Sequence, residues 1–105
     1  MPKYPVGNAD QISNGTLVHA QAAGRDLCIA RTDDGEFFAI DDACTHEEAS
    51  LSDGDLLGRE IQCPLHNSRF DLATGAVRGL PATEPTRSYS TAVGDDGVLY
   101  VEIEA

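Results

Sequence analysis

Cys44-Thr45-His46 and Cys63-Pro64-Leu65-His66 place two Cys and two His, as C-x-H and C-x-x-H, within about two dozen residues. They hold two of the three cysteines and two of the three histidines in the chain. Thiolate and imidazole together suit a soft or borderline metal. Zinc is one reading, but a Cys2His2 zinc finger groups a Cys pair and later a His pair. Here each short motif carries one of each, which suits a two-iron cluster with thiolates on one iron and imidazoles on the other.

The stretch CTHEEASLSDGDLLGREIQCPLHNSRFDLATG, residues 44–75, resembles the cluster-binding segment of Rieske [2Fe-2S] proteins. It is most similar to the soluble ferredoxins of bacterial aromatic-ring-hydroxylating dioxygenase systems. The resemblance extends to GLPATEP and, more loosely, to the flanking strands. It implies one [2Fe-2S] cluster per chain, with Cys44 and Cys63 as thiolate ligands and His46 and His66 as imidazole ligands. It also implies that Gly79-Leu80-Pro81-Ala82 is a third loop covering the cluster, with proline stiffening it.

Outward from these motifs, short apolar or alternating segments separated by turn signals read as all-β. Strands are expected over 16–21, 27–32, 36–40, 59–62, 68–72, 76–78, 87–93 and 98–104, with one helical turn within 8–13. Asp33-Asp34-Gly35, Thr74-Gly75 and Gly94-Asp95-Asp96-Gly97 supply hairpin turns. The ligand segments form an insert. The expected architecture is a single Rieske domain over 1–105: an antiparallel β-sandwich or open barrel base, 1–41 and 83–105, carrying a cluster-binding β subdomain over about 42–82.

At 105 residues there is room for one core. No stretch approaches transmembrane length and the start lacks the apolar run of a signal peptide, so the expectation is a cytoplasmic protein without a membrane anchor. A net charge of −11 argues against nucleic acid and suits transient docking on basic patches of redox partners. No nucleotide-binding glycine pattern is present. Cys28, among Leu27, Ile29 and Ala30, reads as a buried small hydrophobe, and His19 as a surface residue. The paired carboxylates beside glycines read as turn formers.

The resemblance implies a one-electron carrier, monomeric and without substrate chemistry of its own, passing electrons from a flavoprotein ferredoxin reductase to a Rieske non-haem iron dioxygenase in aromatic hydrocarbon catabolism. Two alternatives are the small Rieske-type subunit of a nitrite reductase or other multicomponent oxidoreductase, and a zinc-stabilised binding module. Replacing two thiolates by neutral imidazoles makes reduction easier, so Rieske potentials span roughly −150 to +300 mV against about −400 mV for plant-type ferredoxins. High-potential members carry a disulfide at the positions of Ala49 and Leu65, and a Ser and a Tyr at those of Ser68 and Phe70. Keeping only Ser68 points to the low end of that range. Whether its hydroxyl reaches a sulfur or serves a turn stays open, as does whether Glu47 is a solvated charge or raises the pKa of His46.

Overall fold

The computed structural model describes residues 2–45, 48–65 and 67–103. Among the described residues eleven antiparallel strands form three sheets. The first has the order β1-β11-β10, from β1 (Lys3–Asn8), β10 (Thr91–Val93) and β11 (Val98–Glu102). The second is β2-β3-β4-β9, from β2 (Thr16–Ala22), β3 (Arg25–Arg31), β4 (Phe37–Asp41) and β9 (Ser88–Tyr89). The third, β5-β6-β7-β8, comes from β5 (Asp55–Leu57), β6 (Glu60–Gln62), β7 (Arg69–Asp71) and β8 (Val77–Gly79). A 3-10 turn at Ala9–Gln11 falls inside the expected helical turn.

The second sheet is a wall between two cores. Side chains alternate along a strand, so Leu27 and Ile29 of β3 join Leu99, Val101 and Ile103 on one side. Cys28 and Ala30 face Leu51, Ile61, Phe70 and Leu72 on the other. This explains a run in which all four residues, Leu27 to Ala30, are fully buried, the signature of a strand covered on both faces. Cys28 is the small hydrophobe expected, its thiol pKa pushed up to about 12 by burial and then by the charge of Asp42.

Two strands were not foreseen. β1 contains Pro5 and Gly7, which break the strand pattern, yet it lies at a sheet edge with a register shift between them, where a missing donor is tolerated. Asp53-Gly54-Asp55 reads as a turn, but Asp55 already pairs with Gln62 to begin β5. A Cβ at Gly54 would stand 1.9 Å from the Gln62 carbonyl oxygen, so the glycine serves close approach. The expected single strand over 87–93 is two: β9 pairs with β4, and after Ser90 the chain crosses to pair β10 with β11. Such a switch of sheets is how sandwich corners are made.

Candidate metal centre

Both cysteine motifs sit at loop roots closed in the same way. The Cys44 N–H donates to the Ala49 carbonyl at 3.0 Å, and the Cys63 N–H to the Ser68 carbonyl at 2.7 Å. In each case the chain returns to its cysteine five residues later. The first loop is anchored by an Ala43–Ser50 bridge and by Asp42. Asp42, 3% exposed, accepts the Leu51 N–H on its carbonyl at 2.6 Å and the Ser52 N–H on Oδ1 at 2.9 Å. In the second loop Asn67 has a φ of 62°, a left-handed conformation that asparagine adopts at little cost.

Cys44 is 7% exposed and Cys63 fully buried, and both belong to the cluster of side chains that contains Cys28, Phe70 and Ala82. None of the three cysteines is in a disulfide. His46, Glu47 and His66 lie outside the described residues. Among the described residues no group of three or more His, Cys, Asp or Glu side chains could hold a metal ion.

A third segment closes over this end of the molecule. The Ala82 N–H donates to the buried Ser68 Oγ at 3.0 Å, and the Thr45 hydroxyl donates to the Glu84 carbonyl at 2.7 Å. The segment through a cis Leu80–Pro81 bond is thereby tied to both cysteine loops. Ser68 thus anchors the third loop. A glycine in such a loop suggests close backbone approach, but the neighbour nearest a Cβ at Gly79 would be the Arg69 side chain at 2.9 Å, not backbone. Leu65 and Leu80 are 46% and 77% exposed, leaving an apolar rim on the second and third loops. His19 is exposed, with its Nε2 3.0 Å from Asp26.

The paired acids do structural work. Asp41 accepts the Tyr89 hydroxyl at 2.5 Å. Asp34 accepts the Thr32 hydroxyl within its turn, and Asp96 accepts the Val98 N–H and the Tyr100 hydroxyl. Sequence reasoning missed Asp42 and Asn67 as loop-shaping residues. An asparagine directly after a ligand-type histidine was a readable sign of a left-handed turn; the burial of Asp42 had no local signal.

The Rieske [2Fe-2S] domain family matches residues 2–90. The ferredoxin component of naphthalene 1,2-dioxygenase/salicylate 5-hydroxylase systems of Ralstonia sp. is 39% identical over 90 residues, covering 86% of each chain. The ferredoxin of carbazole 1,9a-dioxygenase from Nocardioides aromaticivorans IC177 superposes with a TM-score of 0.91 at 32% identity, covering 99% of this chain and 100% of that one. A chain from a complex of reduced oxygenase and oxidized ferredoxin in carbazole 1,9a-dioxygenase gives a TM-score of 0.84 at 34% identity, covering 94% and 100%.

Proposed function

Since this chain belongs to the Rieske [2Fe-2S] domain family, we propose that it is a one-electron carrier between a flavoprotein reductase and a terminal Rieske non-haem iron oxygenase that hydroxylates aromatic rings. The observation that carries the reading is similarity to a dioxygenase ferredoxin component along 86% of both chains. The chain is an electron-transfer component and not itself an enzyme.

The donor set fits the family's cluster on the thiolate side: two buried thiols, each at the root of a loop closed five residues on, within one apolar pocket. Cys44 and Cys63 would hold one iron, and His46 and His66 the other, in a single cluster per chain. When bound, that cluster accepts and releases one electron. The chain's own residues hold the loops, through Asp42, Asn67 and Ser68, and the third loop, tied down at Ala82 and Glu84, would cover the cluster. The division into a base of 1–41 and 83–105 and a cluster-bearing part of 42–82 follows the same reading, supported by the separate four-stranded sheet β5-β6-β7-β8.

A shuttle must leave both partners quickly, so its docking faces are small and its contacts transient. The exposed rim of Leu65 and Leu80 suits such a face. We assign the chain to the cytoplasm as a monomer; among the described residues no helix is long and apolar enough to cross a membrane.

The test is visible absorption and low-temperature EPR of protein purified without air, before and after dithionite. A red-brown protein whose reduced form gives the rhombic signal of a His-ligated two-iron cluster supports the reading. A colourless protein containing zinc overturns it.

A further inference from the structure

Of the seven Lys and Arg side chains, five are engaged. Lys3, Arg59, Arg69 and Arg78 each pair with a carboxylate. Arg31 donates to the Ala9 and Ile12 carbonyls and lies over the Phe37 ring. Arg25 and Arg87 alone have no ion pair or side-chain hydrogen bond among the described residues. Both line a cleft of about 490 Å³ that reaches Cys44, Thr45 and Thr86.

Several features hold these two cations ready. Arg25 opens β3 directly after a tight hairpin, and the Arg87 carbonyl accepts the Asp41 N–H at 3.0 Å, so both backbones are fixed. The two carboxylates in the cleft accept hydrogen bonds from other groups, Asp41 from the Tyr89 hydroxyl and Asp26 from Gln21, with His19 Nε2 3.0 Å away, and neither forms an ion pair with Arg25 or Arg87 among the described residues. Thr86, 7% exposed, lines the same cleft, and its buried Oγ1 has no hydrogen-bond partner. Two guanidiniums without an ion pair among the described residues thus line one opening beside a cysteine loop, in a chain whose net charge is −11.

We propose that this cleft is a docking notch for a carboxylate side chain on the protein that exchanges electrons with this chain. Guanidinium forks match carboxylate oxygens in pairs. A partner with a basic face is drawn in by the acidic surface as a whole and orients itself by seating one acidic side chain in the notch. The proposal rests on the electron-carrier reading and adds the chemistry of the contact.

The cluster-loaded, reduced chain is mixed at low ionic strength with ferricyanide, an anionic oxidant taking one electron, or with hexaamminecobalt(III), a cationic one. Arg25→Gln and Arg87→Gln should each slow oxidation by ferricyanide about fivefold and leave the cobalt reaction unchanged or faster. Lys3→Gln, which removes one charge on β1, should change the ferricyanide rate less than about twofold. An acetylated tetraglutamate peptide should slow the ferricyanide reaction of the wild type and not that of the double variant. Equal effects of the three substitutions, or competition by inorganic phosphate as strong as by the peptide at matched ionic strength, would overturn the notch. Absence of any absorbance change with both oxidants would instead remove the electron-carrier reading, and the notch with it.

Discussion

At the scale of single residues, Cys44 and Cys63 were legible as candidate ligands because their chemistry sits in short motifs. Asp42 and Asn67 were not, because what they do depends on backbone shape and burial. Ser68 lies between these cases: its position was legible, its partner was not. Its fully buried hydroxyl accepts the Ala82 N–H. Ser68→Ala should therefore strand a buried donor and cost about 1–3 kcal/mol. Amide exchange would register it as lost protection at Ala82, and protection equal to wild type would refute the role. Asp71 makes a pH-dependent contribution. Burial raises its pKa, but the Thr74 and Ala73 N–H groups and Arg78 outweigh that and hold it below the usual carboxylate value. A depressed folded pKa stabilises above the unfolded value, about 3.9, and that stability is lost as pH falls through the folded one. Asp71→Asn should thus melt lower than wild type at pH 7, and the gap should narrow as pH falls below the unfolded value. A gap independent of pH would refute it.

At the scale of elements, a strand was legible where residues alternate, as in β11 with its alternating burial. Where position in the sheet decided the outcome, sequence was silent. β1 exists because an edge tolerates Pro5, and the break at Ser90 exists because β9 and β10 belong to different sheets. The β2–β3 hairpin was another unseen device. It turns on Ala23 and Gly24 with φ of 51° and 74°, a two-residue turn needing left-handed geometry at both positions. Alanine is strained there, whereas asparagine is suited to it. Ala23→Asn should gain about 0.5–1 kcal/mol and raise the melting temperature by a few degrees. An unchanged or lower melting temperature would show that the strain is absorbed elsewhere.

At the scale of the whole molecule, the layered plan of an all-β base with a second small sheet was readable from pattern and resemblance together. The shared wall was not, because two-sided burial of β3 depends on what packs from each side. Phe70, fully buried in the cluster of side chains around Cys44 and Cys63, carries no hydroxyl. The midpoint potential should accordingly lie near the bottom of the roughly −150 to +300 mV range. Phe70→Tyr should raise it by about 40 mV, the worth of one hydrogen bond of about 1 kcal/mol. Voltammetry of the two proteins decides it, and a wild-type midpoint well above zero would contradict the low-potential assignment. The wall also contains a clock. Cys28 is sealed between the sheets with its pKa pushed up to about 12, so the folded chain offers an alkylating reagent almost no thiolate there. Under the ligation proposed above, which engages the other two cysteines, each labelling event at Cys28 should count one opening of the central sheet. The holo protein should take up one label at the rate at which it breathes, and the apo protein three.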